Sequence, residues 1–268
     1  MKRTVFITGT SSGLGKATAR LFQSEGWHVV AAMRHPAAEK ELGQLPNVTL
    51  VKLDIANTAE IKSQIEKVLI GHSVDVVVNN AGYGLIGPLE ALGDAEMVQQ
   101  IETNLLGTIR VTKAFVGHFR RQGRGTIINI SSMFGWMGYP TCSLYTATKF
   151  AIEGFSESLA YELGYLGIGV KTVSPGGIRT DFAGRSLQTA THPSYQALID
   201  KVSEGYSPEQ VEKFASPEAI AAVIYEAATD GRKQLRYVAG NDAISFYEAR
   251  EANGTESHFR SILDNFKI

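Results

Sequence analysis

The segment Thr4-Val5-Phe6-Ile7-Thr8-Gly9-Thr10-Ser11-Ser12-Gly13-Leu14-Gly15 runs an apolar strand pattern straight into glycines spaced G-x-x-x-G-x-G, and helical periodicity starts at Leu14. Glycine lets the backbone turn sharply and come close to a ligand, while the N-terminus of the following helix offers free N–H groups and a partial positive charge. Gly9, Ser11, Ser12, Gly13, Leu14 and Gly15 are therefore expected to cradle a pyrophosphate. A glycine-rich turn without a ligand is the competing reading of the motif taken alone. Its place between first strand and first helix favours the phosphate.

The same alternation continues down the chain. Apolar runs at Val29 to Met33, Thr49 to Leu53, Val74 to Asn79, Thr126 to Ile130 and Val170 to Ser174 are separated by helical patterns. These cover Leu14 to Glu25, Thr58 to Leu69, Ala95 to Phe119 and Tyr145 to Leu163. Runs that are apolar throughout, such as Val74-Asp75-Val76-Val77-Val78, belong to strands covered on both faces. The order predicts an α/β fold: a doubly wound, mostly parallel Rossmann sheet with helices on both faces, in one domain over residues 1–268. Residues 181–216 mix Gly, Thr, His and Pro and are expected to form a mobile substrate loop. Ser216-Pro217-Glu218 then starts a helix with Ser216 as N-cap, and Leu235 to Ala239 forms a last strand. In the tail, 252–268, Phe259, Ile262, Leu263 and Phe266 make an apolar stripe on a helix, suited to docking on the body or on a partner subunit.

Across 268 residues, 26 Lys and Arg balance 27 Asp and Glu, for a net charge of -1. No long-range field gathers nucleic acid or an anionic membrane, so neither is expected as a partner. Hydrophobic residues at 44% and charged residues at 20% exclude a disordered chain. The single cysteine, Cys142, has no thiol partner, and the six histidines lack metal-ligand spacing, so no metal is expected. Cys142 itself reads as a small buried hydrophobe. With no signal-type run ahead of the first strand and no apolar stretch of about 20 residues, a cytoplasmic protein is expected.

A dinucleotide fold reads the adenosine ribose about 20 residues past the glycines, at the end of the second strand, where an acid accepts from the 2′-hydroxyl. This sequence has Met33-Arg34 there. A guanidinium binds a 2′-phosphate through paired, charge-assisted hydrogen bonds, so Arg34 points to NADP(H). A solvated arginine at a strand end is the bland alternative.

Tyr145-Thr146-Ala147-Thr148-Lys149 sets a phenol and an ammonium four residues apart, on one face of a helix. At about 4 Å and an effective dielectric near 20, the ammonium favours phenolate by roughly 4 kcal/mol. That is expected to bring the tyrosine from about 10 toward ~7, where a general acid can also act as a base. Taken alone, such a pair is common on exposed helices. Upstream, Asn129-Ile130-Ser131-Ser132 ends a strand at the carboxyl edge where open α/β sheets hold ligands, and Asn79-Asn80-Ala81-Gly82 ends another. Asn104 is a polar exception within a mostly apolar helix.

Together these residues resemble the short-chain dehydrogenase/reductase family in its single-domain form. The matching positions are Thr8-Gly9-x-x-x-Gly13-x-Gly15, Asp54, Asn79-Asn80-Ala81-Gly82, Asn104, Ser132, Tyr145-x-x-x-Lys149, Pro175-Gly176 and Thr180. The resemblance implies that Tyr145 gives a proton to the alkoxide, that Lys149 lowers its pKa and binds the nicotinamide ribose, and that Ser132 orients the carbonyl. It implies that Asn104 holds a water linking Lys149 to solvent. Asp54 and Ile55 would meet the adenine, Asn80, Ala81 and Gly82 the ribose, and Pro175, Gly176, Ile178 and Thr180 the nicotinamide side. The sequence departs from NADP-specific members with a basic residue before the second glycine, having Ser12 there, so cofactor choice rests on Arg34. Lys16 is expected to point outward along the first helix.

The expected activity is NADPH-dependent reduction of a ketone or aldehyde, reversibly alcohol oxidation, on a small-molecule carbonyl or alcohol substrate. Met133, Phe134, Trp136, Met137, Tyr139, Tyr83 to Leu85 and Phe182 suggest a bulky, hydrophobic one. Asn79 to Gly84 with Gly87-Pro88-Leu89-Glu90 most resemble the branch named for 17β-hydroxysteroid dehydrogenases. A homodimer or homotetramer built on the long helices is implied by the same resemblance. The alternative is an NADP(H)-sensing regulatory protein without significant turnover.

Overall fold

Each apolar run becomes a parallel strand with both faces covered. The computed structural model describes residues 2–180 and 187–267. Its central sheet is built from β1 (Thr4–Thr8), β2 (His28–Met33), β3 (Val48–Lys52), β4 (Val76–Asn79), β6 (Gly125–Ile130), β7 (Ile168–Pro175) and β9 (Arg236–Ala239). The spatial order is β3-β2-β1-β4-β6-β7-β9 and every pairing is parallel. A separate pair, β5 (Gly84–Ile86) and β8 (Leu187–Thr189), forms a small parallel sheet. β1 and β4 are neighbours at the point where the strand order reverses, which opens a crevice at their carboxyl ends.

Alternation along each strand feeds two cores. Val5 and Ile7 pack on one face with Phe22 of α1 (Gly13–Ser24) and Ile220 and Ile224 of the helix Pro217–Thr229. Phe6 points the other way, its ring 4.9 Å from that of Phe115, in the cluster that takes in Ile61 and Ile65 of α2 (Thr58–Gly71). Burying each such side chain stabilises the fold by about 1.5–3 kcal/mol. Caps fix the helix starts: Asn57 accepts from the Glu60 amide at 3.1 Å and Ser216 from the Ala219 amide at 3.1 Å.

The segment expected as one helix over Ala95 to Phe119 is instead α3 (Asp94–Ile101), a π-helical turn (Glu102–Gly107) and α4 (Thr108–Gln122). Ile55 presses on Gly107 there: a Cβ on this glycine would lie 2.9 Å from the Ile55 carbonyl oxygen. α5 (Ser143–Gly164) carries the tyrosine and the lysine. Thr112 of α4, Asn79 of β4, Asn129 of β6 and Ser156 of α5 form a buried chain of hydrogen bonds at 2.8 Å, which pins both helices to the sheet.

Within 181–216, residues 181–186, and with them Phe182, lie outside the described residues. The remainder holds β8 and the helices Gln196–Glu204 and Pro208–Val211. The C-terminal helix Asn241–Asn265 breaks at Gly254, where φ is 77°. Its apolar stripe divides: the Phe266 ring sits 5.3 Å from that of Tyr139, while Phe259 and Leu263 stay exposed. Among the described residues no helix is long and apolar enough to cross a membrane.

Candidate active site

The glycine loop is shaped by close approach. A Cβ on Gly15 would collide with the Gly9 carbonyl oxygen and the Asn80 carboxamide, so only glycine lets the first turn of α1 close on β1. Gly13 adopts φ 53°, and the space beside its Cα is open as far as the Thr180 methyl, 3.7 Å from where a Cβ would sit. Ser12 precedes the helix in extended backbone and its side chain caps none of the first amides. Free amides of α1, an absent side chain and Thr180 opposite thus bound a cradle that fits a pyrophosphate. Thr180's amide donates to the Ile178 carbonyl at 2.8 Å, and the loop is held to Ala215 by the Arg179 amide at 2.8 Å and by a bridge at Ile178.

The floor of the crevice joins β1 to β4. The Thr8 hydroxyl accepts from the amides of Asn80 and Ala81, both at 3.0 Å, and the Asn80 carboxamide donates to the carbonyls of Thr8 at 2.9 Å and Gly9 at 3.2 Å. Arg34 stands exposed just past β2, without a hydrogen-bonding or ionic partner among the described residues. The Lys16 ammonium reaches the loop after β2, where it pairs with Glu39 at 3.4 Å and Glu41 at 3.0 Å. Arg20 pairs with Glu41 at 3.3 Å. The carboxylates of the loop after β2 are thus paired with Lys16 and Arg20. Asp54 spends one carboxylate oxygen on the Ala56 amide at 3.0 Å, and Ile55 is buried in the core against Gly107.

Ser132, Tyr145 and Lys149 converge beyond the end of β6. The Ser132 hydroxyl accepts from the Phe134 amide at 3.2 Å and is hydrogen-bonded to the Tyr145 phenol. The Lys149 ammonium donates to the Ile130 carbonyl at 2.9 Å and lies 5.6 Å from the centre of the Tyr145 ring. Burial drives both groups toward neutrality. It pushes the Tyr145 phenol up to about 12, against the pull of the Ser132 bond, and the Lys149 ammonium down to about 8, against the pull of Glu153. The expected drop of Tyr145 toward 7 is therefore overturned for the chain by itself: desolvation outweighs a lysine whose ammonium is anchored on a carbonyl.

Asn104 sits in the π turn with its carboxamide wrapped on the backbone of Tyr83, accepting from the amide at 3.0 Å and donating to the carbonyl at 2.8 Å. Gly82 fits against it: a Cβ there would lie 3.1 Å from Asn104 Oδ1. Across the crevice, Pro175 ends β7, the Gly176 amide donates to Ala239 at 2.9 Å, and the Gly177 amide donates to the Asp242 carboxylate at 2.7 Å.

Of the expected pocket residues, Phe134 lies beside Tyr145, ring centres 6.3 Å apart, and stacks on Tyr139 at 5.2 Å. Met137 and Leu85 are instead fully buried packing, and Trp136 packs against Tyr247 of the C-terminal helix at 5.2 Å. Cys142 is buried, and burial pushes its thiol up to about 12. A cavity of about 290 Å³ opens beyond Tyr139, with Phe246, Ile262 and Phe266 on its apolar side and Lys201 and Glu204 on its polar side. Glu153 and Asp242 escaped the sequence reading. Glu153 could have been found, since it follows Lys149 at the same four-residue interval that joins Lys149 to Tyr145; nothing local marks Asp242.

A family model described as short chain dehydrogenase matches residues 3–191. Retinol dehydrogenase 8 of Bos taurus is 36% identical over 253 residues, covering 87% of this chain and 80% of that protein. Among solved structures, a short-chain dehydrogenase from Streptomyces avermitilis matches with a TM-score of 0.84 at 30% identity, over 94% of this chain and 93% of that one. ElxO with NADP bound matches with a TM-score of 0.74 at 28% identity, over 89% and 98%.

Proposed function

Because the chain belongs to the short-chain dehydrogenase family, we propose that it is an NADPH-dependent carbonyl reductase, working reversibly as an alcohol dehydrogenase on bulky hydrophobic substrates. The observation that carries this reading is the meeting of Ser132, Tyr145 and Lys149 at the carboxyl end of β6, on the sheet edge where the glycine loop also follows β1. Reduction of a carbonyl takes a hydride, which NADPH supplies when bound, and a proton. Tyr145, protonated at neutral pH because burial holds its phenol near 12, gives that proton at its hydroxyl to the developing alkoxide. Ser132 holds the carbonyl oxygen in place, and the Lys149 ammonium stabilises the phenolate left behind. Asn104 would hold a water between Lys149 and solvent, from which Tyr145 regains its proton. Arg34, unpaired at the end of β2, takes the 2′-phosphate, and the bound NADP of ElxO supports that choice.

The aromatic surroundings of Tyr145 and the likeness to a protein named retinol dehydrogenase support a large apolar substrate. We infer a cytoplasmic homodimer or homotetramer, joined through the exposed Phe150 and Tyr161 of α5 and Tyr165 just after it. The intact trio disfavours an NADP(H)-sensing regulator without turnover. The test is a panel of aryl ketones, diketones, long-chain enals and steroids with NADPH and NADH, followed by nicotinamide absorbance. NADPH oxidation with at least one hydrophobic carbonyl is expected. NADPH binding without oxidation across the panel would establish the regulator instead.

A further inference from the structure

We propose that Glu153, paired with Arg236, is a positioning residue that holds Lys149 as an ammonium beneath Tyr145. The inference rests on the reductase reading only for its catalytic meaning; the electrostatic relationship stands on the fold. Glu153 follows Lys149 by one turn of α5 and is 5% exposed. Its carboxylate accepts from the Ser174 hydroxyl at 2.7 Å, from the Thr172 hydroxyl at 3.1 Å and from Arg236 Nε at 3.0 Å. A buried carboxylate needs such partners, and only one of these is charged.

Gly135 packs closely on this turn of α5. A Cβ there would lie 3.0 Å from Glu153 Cγ and 3.2 Å from the Lys149 carbonyl oxygen, and would collide with the Ser131 hydroxyl. Lys149 is 8% exposed, so little water screens its charge from the carboxylate. Polar groups from four elements surround the Lys149–Glu153 pair. α5 itself brings Tyr145 and Glu153, the end of β6 brings the Ile130 carbonyl with Ser131 and Ser132, and β7 brings the Thr172 and Ser174 hydroxyls. β9 brings Arg236, whose guanidinium lies 5.9 Å from the Tyr247 ring of the C-terminal helix. Asp242, on that same helix, is engaged by the Gly177 amide. Among the described residues, Glu153 is the carboxylate one helical turn from Lys149, and it opposes the pull of burial on the ammonium. Arg236 lies beyond residues 3–191, the part matched by the family model, so the last strand reaches the reacting centre through one ion pair.

Charge logic makes opposite forecasts for the two partners. Glu153→Gln removes the carboxylate that opposes burial and disfavours the ammonium; Arg236→Gln leaves that carboxylate without its counter-charge and favours it. The experiment titrates the Lys149 ε-methylene by NMR in ¹³C-lysine-labelled chain without cofactor, assigned with Lys149→Met. Relative to wild type, the Lys149 midpoint is expected to fall by about one pH unit in Glu153→Gln and to rise by about one in Arg236→Gln. In the double variant it returns close to the wild-type value. Should Glu153→Gln fail to fold, Arg236→Gln on the outer strand carries the test by its upward shift. An unmoved midpoint, or movement of both single variants in one direction, overturns the proposal and leaves the pair a structural brace. A carbonyl panel on wild type runs beside it: no turnover there with the NMR shifts intact would fail the reductase reading alone.

Discussion

The Lys149 ammonium donates to the Ile130 carbonyl at 2.9 Å, two residues before Ser132. A helix and a strand end are thereby locked together, and Ser132 and Lys149 are held in one arrangement. Lys149→Met removes this tie and the positive charge at once. Turnover with NADPH and the best carbonyl of the panel is expected to fall by about 100-fold or more, and NADPH affinity with it. Steady-state kinetics and fluorescence titration of NADPH measure the two effects; undiminished turnover would remove the lysine from the site.

Rising pH should silence reduction through the lysine rather than through the tyrosine. Burial lowers Lys149 from its ordinary 10.5 to about 8 and raises Tyr145 to about 12, so the ammonium is lost while the phenol is still protonated. The kcat/KM profile for carbonyl reduction is expected to bend downward near pH 8. A profile flat to pH 10 would show that the charge on Lys149 does not matter.

Arg34 follows β2, and its guanidinium has no hydrogen-bonding or ionic partner among the described residues. Each charge-assisted bond is worth about 1.5–3 kcal/mol, so the loss of one corresponds to roughly a 10- to 100-fold effect. Arg34→Ala should lower kcat/KM for NADPH by that factor and leave NADH unaffected, in parallel assays with the two cofactors. Equal losses for both would assign Arg34 to general electrostatics.

Behind the site, Lys171, Asp230 and Tyr237 brace β7 and β9. Lys171 donates to Asp230 at 2.6 Å and to the Tyr237 hydroxyl at 3.0 Å, and that hydroxyl donates to Asp230 at 2.6 Å. Burial alone would raise the Asp230 carboxyl, but the bonds from Lys171, Tyr237 and the Arg232 amide carry it down to about 2. A carboxyl held lower in the folded chain than in the unfolded one adds stability above about pH 4, and the gain is lost as pH falls toward 2. Asp230→Asn, which strands a buried ammonium, should cost about 3–5 kcal/mol at pH 7. Urea unfolding measures it, and the gap to wild type should narrow below pH 4.

Much of this architecture was legible locally. The strands, the glycine loop and the shared face of Tyr145 and Lys149 depend on spacings of a few residues, and the sheet places them as those spacings require. The π turn was not legible, because one added residue in a helix shifts the phase of the apolar pattern without erasing it; Ala95 to Phe119 therefore read as one α-helix. Pairings between distant segments were equally hidden. Glu153 and Arg236 are 83 residues apart, Lys16 meets carboxylates contributed by the loop after β2, and β5 finds its partner strand about a hundred residues on. The acidity of Tyr145 was misjudged for a related reason: spacing reveals the neighbouring charge but not the burial that outweighs it.

The proton donor is the centre of the proposed chemistry, and Tyr145→Phe addresses it with a single oxygen atom. NADPH binding, followed by fluorescence, should stay within a few-fold of wild type, while the single-turnover rate of carbonyl reduction should drop by about 10²–10⁴-fold. A phenylalanine variant that reduces the carbonyl at the wild-type rate would show that the proton comes from elsewhere.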